Sequence, residues 1–393
     1  MSKGETVSEV DETRARTLLQ QLTAELSAKG ALRSPEWRTM FERTYRHPFV
    51  PRLYRRVGPD RQLLDGTRPE QREEWLAAVY RDDALVTQLD GDGQGVMSSS
   101  TAPTLMAIML EALDVADGHR VLEIGTGTGY NAALLCARLG SELVTTIDID
   151  AGLVDEARRR LAGCGCAPTV AVADGADGYP ARAPYDRIIA TCSVTHIPPA
   201  WLEQTRPGGV IVVNLFGRVW GAIARIEVLG RRAGRGRLLP EPAAFVTMGE
   251  RPPRPSLQTL VRQMRQEDAT SRPACRLKGF DDDSFQFLAR LCLPNVVHFG
   301  LRPEGSAAPS APCLFDVQDG SWARMTAPGP TGAGVVAQAG PRRLWDIYEH
   351  THELWLEHGR PTRERYGLTL TPNGHQHVWL DTPDSDHMWS LPD

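Results

Sequence analysis

Three glycines at alternate positions, Gly125, Gly127 and Gly129, limit what this chain can fold into more than any other feature. Before them, Val121-Leu-Glu-Ile124 is a short apolar run that reads as a buried strand. After them, the residues from Asn131 onward have the periodicity of a helix start. A strand, a glycine turn and a helix make the first half of a nucleotide-binding βαβ unit. Glycine lets the backbone turn tightly and lets a flat ligand lie on bare peptide where a Cβ would collide. No Lys-Ser or Lys-Thr follows the last glycine, which excludes a Walker phosphate cradle. The spacing is G-x-G-x-G, and Glu123 stands just before the turn, where a carboxylate suits a cationic amino acid moiety better than a pyrophosphate. Leu143 to Ile147 reads as a second strand, ending in Asp148. A carboxylate about 20 residues past the turn is placed to accept hydrogen bonds from ribose hydroxyls. Together these features favour S-adenosylmethionine over NAD.

Further strand and helix patterns alternate along the chain. Leu153 to Leu161 reads as a helix and Thr169 to Ala173 as a strand ending at Asp174-Gly175. Asp186 to Thr191 is a strand, Pro198 to Gln204 a helix and Val210 to Leu215 a strand. This order predicts an α/β fold, a Rossmann-like doubly wound parallel sheet with its ligand across the C-terminal strand tips. Gly125, Asp148, Asp174 and Thr191 would converge there. The chain has 393 residues, enough for more than one unit, and three regions are expected. Residues 1–90 read as a helical flank: a polar start to about residue 12, a helix from Glu12 to Lys29, another capped by Ser34 with Pro35, and one near Trp75. Residues 91–250 read as the core. Residues 251–393 read as a separate α+β module, with a Pro/Arg linker at Arg251 to Arg254 and helices at Leu257 to Arg265, Ser284 to Leu293 and Pro341 to His358. A hairpin is expected around Gln318 to Gly320, after a loop at Gly305 to Pro312. Asp90 to Pro103 is a polar, glycine-rich loop containing four successive hydroxyls, Ser98, Ser99, Ser100 and Thr101, just before a helix. Exposed hydroxyls and N–H groups at a helix start suit a carboxylate.

The core resembles the protein-L-isoaspartate O-methyltransferase family. The resemblance rests on Arg46-His-Pro-Phe-Val-Pro51, the hydroxyl run leading to Pro103 and Ala107-Ile-Met109, and Val121 to Tyr130. It continues through Asp174-Gly175, Ala183-Pro-Tyr-Asp-Arg-Ile-Ile189, Ile197-Pro198 and Gly208-Gly209, covering about residues 30 to 220. It implies methyl transfer from S-adenosylmethionine to a carboxylate, with S-adenosylhomocysteine as product and an Asp- or isoAsp-containing peptide or protein as acceptor. The implied cofactor set is Glu123, Gly125, Thr126, Gly127, Gly129, Tyr130, Asn131, Asp148, Ile149, Asp174, Gly175 and Thr191. Of these, Glu123 and the glycine backbone would hold the amino acid part, Asp148 the ribose, and Asp174 with Gly175 the adenine. Ser98 to Thr101 would orient the acceptor carboxylate, with Thr101 and His196 against the substrate. Thr101 stands where the family has a serine, and Ala173 where it has a glycine. The added C-terminal residues resemble the branch that accompanies ribosomally made peptides of lanthipeptide and graspetide systems. That implies a dedicated, macrocyclic precursor peptide, with general repair of damaged proteins as the alternative and an inactive scaffold as a third reading.

Composition narrows the rest. A formal net charge of -5 argues against holding nucleic acid or an anionic membrane by bulk electrostatics. The seven cysteines lack metal-ligand spacing, so no metal site is expected. Met1 to Glu9 has no apolar core of a signal peptide, and no stretch is long and apolar enough to span a bilayer, so a cytoplasmic location is expected. Cys192 is preceded by Thr191 rather than proline, against nucleobase C5 methylation, and the motif of amino-group DNA methylation is missing at this strand.

Overall fold

A parallel strand buried on both faces needs cover above and below it, and the chain supplies that cover from both ends. The computed structural model describes residues 9–58, 60–93, 95–216, 221–249, 257–266, 269–275, 277, 279–301, 311–325 and 333–392. The expected polar start through residue 8, the Arg251–Arg254 linker and the Gly305–Ser310 part of the expected loop lie outside these residues.

The N-terminal region opens with α1 (Glu9–Ala28) and α2 (Pro35–Arg43). The Ser34 hydroxyl caps α2 by accepting from the Trp37 N–H, with Pro35 at the first turn. Beyond α2 the flank is not all-helical, contrary to expectation. Strands β1 (Arg52–Val57) and β2 (Asp60–Asp65) form a hairpin. After α3 (Arg72–Val79), β3 (Leu85–Leu89) and β4 (Val96–Ser100) complete an antiparallel sheet ordered β2-β1-β3-β4. The hydroxyl run is therefore a strand end rather than a loop, because Ser98, Ser99 and Ser100 pair with Gln88, Val86 and Leu85. Helix α4 (Pro103–Leu113) leads into the core.

There the sequence alternates as expected: β5 (Val121–Ile124), α5 (Tyr130–Leu139), β6 (Val144–Asp148), α6 (Ala151–Gly163), β7 (Thr169–Val172), β8 (Tyr185–Val194), α7 (Pro199–Gln204) and β9 (Thr205–Leu215). Strands β5, β6, β7, β8 and β9 pair in parallel. The order β9-β8-β5-β6-β7 reverses direction between β5 and β8, which opens a crevice at their C-terminal tips. Val121, Leu122, Glu123 and Ile124 are all buried. Antiparallel strands β10 (Gly221–Gly230) and β11 (Ala233–Ala243) extend the sheet beyond β9.

The C-terminal residues hold α8 (Leu257–Gln266), β12 (Thr270–Cys275), α9 (Asp283–Cys292), β13 (Val296–Leu301), β14 (Ala311–Asp316), β15 (Trp322–Met325), β16 (Ala333–Ala339), α10 (Leu344–Glu357), β17 (Tyr366–Leu370), β18 (Gln376–Leu380) and β19 (Met388–Ser390). A five-stranded antiparallel sheet, β12-β16-β15-β14-β13, contains the expected hairpin as β14 and β15. Strands β17, β18 and β19, however, pair onto β11 and bring the core sheet to ten strands. Residues 251–393 are thus not a module apart. The aromatic stripe of α10 (Trp345, Tyr348 and Trp355) and Phe285 of α9 share one apolar cluster with Ile211, Leu215 and Leu368 of the core sheet. Two polar ties reinforce the join. Gln376 of β18 accepts from the Ile197 N–H at 2.8 Å and donates to its carbonyl at 2.7 Å. Buried Arg363 donates to the Gly221 carbonyl and pairs with Asp283.

One buried charge ties the end of α3, the turn before β3 and the end of β4 together. Arg46 has no exposed surface. It donates to the carbonyls of Val79 (3.0 Å), Arg81 (3.2 Å), Asp83 (3.1 Å), Ser100 (3.2 Å) and Thr101 (2.9 Å), and to the Ser100 hydroxyl. Burial lowers its pKa to about 10, which still leaves it charged at neutral pH. Replacing Arg46 with Met strands several buried carbonyls, each costing about 1–3 kcal/mol without a donor. Urea unfolding should show a loss of at least about 3 kcal/mol, with partial recovery in Arg46→Lys. A loss below about 1 kcal/mol would mean that water replaces the guanidinium.

Candidate active site

The crevice between β5 and β8 widens into a cavity of about 540 Å³. Its floor is the glycine turn. Gly125 has φ +95°, and a Cβ there would stand 2.9 Å from the Thr191 Oγ1 atom, so the turn needs glycine for both conformation and space. Thr191, just past the last β5–β8 pair at Ala190, donates to the Gly125 carbonyl at 2.6 Å and joins the two strands across the switch point. Gly127 faces the cavity. Gly129 does not line it and instead lets α5 approach α6, since a Cβ there would meet Ala157 at 3.3 Å.

Beneath the turn lies a buried polar cluster. Glu123 is fully buried and accepts from Asn131 Nδ2 at 2.7 Å and from Thr146 Oγ1 at 2.6 Å. Thr126 shares the Thr146 hydroxyl at 2.7 Å, so its side chain supports the floor. Burial raises the Glu123 pKa to about 7 against these two hydrogen bonds. Asn131 Oδ1 is buried without a hydrogen-bond partner among the described residues, and both residues line the cavity. This end therefore offers a carboxylate and a free amide oxygen, acceptors suited to an ammonium group. Tyr130 also lines the cavity, with its ring packed on Phe49 and its hydroxyl 3.4 Å from the Thr44 carbonyl.

Asp148 occupies the middle. Its Oδ2 accepts from the Gly127 N–H at 2.9 Å and its Oδ1 from the Asp150 N–H at 3.1 Å, and burial raises its pKa. Each oxygen keeps a lone pair for a ligand. Ile149, 61% exposed, adds an apolar wall beside it. At the far end Asp174 accepts from the Ala176 N–H at 2.9 Å. Gly175 is packed closely, since a Cβ there would lie 2.7 Å from Met248 Sδ and 2.8 Å from Ile124 Cγ2, so this end of the cavity needs glycine.

The segment 246–249, which carries no recognisable motif, closes this end. Backbone bonds between Ser193 and both Val246 and Met248 hold it across the tip of β8, so long-range pairing alone reveals it. Arg46 likewise matched a motif without showing its role as the anchor of the wall.

That wall is the hydroxyl strand. Ser98, Ser99, Ser100 and Thr101 all border the cavity, and Ser98 Oγ and the Ser99 carbonyl approach Gly127 within 4 Å of a built Cβ. Ser100 and the Thr101 carbonyl are engaged with Arg46. His196 stands elsewhere: it does not border the cavity, and its Nδ1 lies 3.4 Å from the Thr195 hydroxyl. Cys192 borders the cavity as a thiol whose pKa burial raises to about 12, which leaves it a poor nucleophile.

Known proteins share this outline. The family model described as protein-L-isoaspartate(D-aspartate) O-methyltransferase matches residues 60–226. The protein-L-isoaspartate O-methyltransferase of Methanopyrus kandleri is 34% identical over 211 residues, 53% of this chain and 81% of that one. Those of Methanosarcina mazei and Ignicoccus hospitalis are 42% and 41% identical, and the chain spans 50% and 64% of their respective lengths. A solved structure titled protein-L-isoaspartate O-methyltransferase superposes with a TM-score of 0.52 at 21% identity, over 93% of this chain and all of that one. The fold likeness therefore runs past the matched core into the C-terminal residues.

The Glu123 cluster has a consequence for pH dependence. A folded-state pKa near 7, raised from 4.5, means that the folded protein keeps a proton the unfolded chain has released. This group therefore favours folding less as pH rises from about 5 through 7. In the unliganded protein the thermal midpoint of Glu123→Gln should fall less than that of the wild type between pH 5 and 8. Parallel curves would show Glu123 ionised throughout.

Proposed function

The chain belongs to the protein-L-isoaspartate(D-aspartate) O-methyltransferase family, and from that premise we propose that it methylates an aspartyl-derived carboxylate of a peptide or protein with S-adenosylmethionine. The observation that carries this reading is the contact of the hydroxyl strand with the glycine turn, which sets an acceptor wall against a cofactor-shaped cavity.

The residues present fit the cofactor. Glu123 and Asn131 Oδ1 would take the ammonium group, Asp148 the ribose hydroxyls, and the cavity end lined by Asp174 and Gly175 the adenine. S-adenosylmethionine, when bound, supplies a methyl group on a sulfonium. The acceptor carboxylate is already ionised at neutral pH and needs no general base. One of its oxygens forms the new bond to the methyl carbon as the carbon–sulfur bond breaks and its electron pair stays on sulfur. No proton moves. The protein's work is alignment and exclusion of water. Thr101 and the neighbouring serine hydroxyls donate to the carboxylate, and Arg46 fixes the strand that carries them. The aspartyl methyl ester then loses methanol when the next backbone nitrogen attacks it, giving a succinimide that water opens to Asp or isoAsp.

Isoaspartyl repair is the acceptor reading that the named relatives support. Modification of a dedicated ribosomally made peptide, of the lanthipeptide or graspetide kind, is a second reading. Labelled methyl transfer to paired peptides, one with isoAsp and one with Asp, distinguishes them. Labelling of the isoAsp peptide alone supports repair. Silence on both, from protein that binds S-adenosylmethionine, supports a dedicated acceptor. Thr101→Ala should lower kcat/KM about 10²-fold with Thr101→Ser close to wild type, whereas Asp148→Ala should weaken cofactor binding in calorimetry. Unchanged cofactor affinity in Asp148→Ala would sink the ribose assignment.

A further inference from the structure

The acceptor wall continues outward as an open sheet face. Ser99, Val86 and Tyr54 are register partners across β4, β3 and β1, and Tyr54 stands opposite Leu63 on β2. Register partners share a face. Two residues beyond Tyr54 on the same face, Arg56 stands directly opposite Arg61. The other face is covered: Leu53 and Leu64 are buried, and Arg55 is held by Gln62 and by Glu74 of α3. On the open face Arg56 and Leu63 are exposed, and Met97 is 48% exposed at the cavity rim.

Like charges directly opposite one another destabilise a strand pair. Among the described residues the side chains of Arg56 and Arg61 make no ion pair or hydrogen bond. The nearby carboxylates are engaged or averted: Asp65 is bonded to Arg52 at 2.8 Å, Glu74 pairs with Arg55, and Asp60 pairs in register with Val57 and so lies on the covered face. Position adds to charge. Strands β1 and β4 both run antiparallel to β3, so the step from Tyr54 to Arg56 corresponds to the step from Ser99 to Thr101. Two inter-strand spacings put Arg56 about 10 Å from Thr101 across the sheet. An extended peptide covers that distance in about three residues.

We propose that the open face of β2-β1-β3-β4 docks the acceptor peptide, and that Arg56 and Arg61 select a carboxylate side chain about three residues from the aspartyl group being methylated. The identity of the acceptor rests on the methyltransferase reading above. The preference for an acidic peptide rests on the sheet face itself.

The test uses fluorescein-labelled isoaspartyl peptides that differ only in Glu or Gln three residues to either side of the acceptor, with the full chain saturated with S-adenosylhomocysteine. Anisotropy at low salt should show the Glu peptide bound about fivefold more tightly, with the preference shrinking as salt rises. Arg56→Gln/Arg61→Gln should abolish the preference, and Arg56→Glu/Arg61→Glu should invert it toward a Lys peptide. Both double variants should bind S-adenosylhomocysteine as the wild type does. Relief of the like-charge pair means that the Gln variant keeps its thermal midpoint. Equal binding of the Glu and Gln peptides by the wild type, or a preference that survives in the Gln variant, overturns the proposal. Labelled methyl transfer to the same peptides is read in parallel. Preference without transfer refutes isoaspartyl repair and leaves the docking face standing, whereas transfer without preference refutes the docking face alone.

Discussion

A guanidinium with no access to water holds this structure's working surface in place. Arg46 gathers carbonyls from the end of α3, from the turn before β3, and from the junction of β4 with α4. Those segments pack together through Leu76, Val79, Leu85 and Met106, yet a loop carbonyl buried beside them without a donor is expensive. One cation with five N–H donors solves the problem for all of them at once. The hydroxyl strand inherits that rigidity, because Arg46 holds the backbone carbonyls of Ser100 and Thr101 together with the Ser100 hydroxyl. The Ser99 and Thr101 hydroxyls remain available for a ligand while the peptide that carries them stays fixed.

The cofactor side of the cavity uses the opposite sign in the same way. Glu123 is a buried acid under the glycine turn, tied to α5 through Asn131 and to β6 through Thr146. It links the three elements whose relative positions define the cavity floor. Its raised pKa is a measure of how much its surroundings favour an arriving cation. Arg46 and Glu123 are thus buried ionisable groups of opposite kind, one anchoring the hydroxyl strand and the other the cavity floor.

What could be read directly from the chain was local. The turn from Val121 to Tyr130, the strand tips at Asp148 and Asp174, the Ser34 cap and the α10 stripe all follow from spacing within a few residues. What escaped was long-range. The β1–β2 hairpin is rich in arginine and has only Leu53 and Leu64 as its buried pair, so periodicity hides it. Ser98 to Ser100 look like loop residues until β3 pairs with them. Segment 246–249 reaches the site only through Ser193, and β17 to β19 reach the core sheet only through β11. His196 comes just after a strand tip in sequence, yet the Gln376 clamp on Ile197 fixes the loop just beyond it and the ring lies away from the cavity.

The pairing of β17 with β11 also bears on how the molecule is made. Strand β11 ends at Ala243 and its partner at Leu370, so a ribosome must add 127 residues before that edge is covered. At roughly 5–20 residues per second the nascent core presents an open strand for about 6–25 s. The edge it presents alternates glycine and arginine through Gly234, Arg235, Gly236 and Arg237. Charged side chains and weak strand formers are poor templates for pairing with a neighbouring chain. The residues that later accept β17 are therefore the ones that guard the unfinished sheet during synthesis.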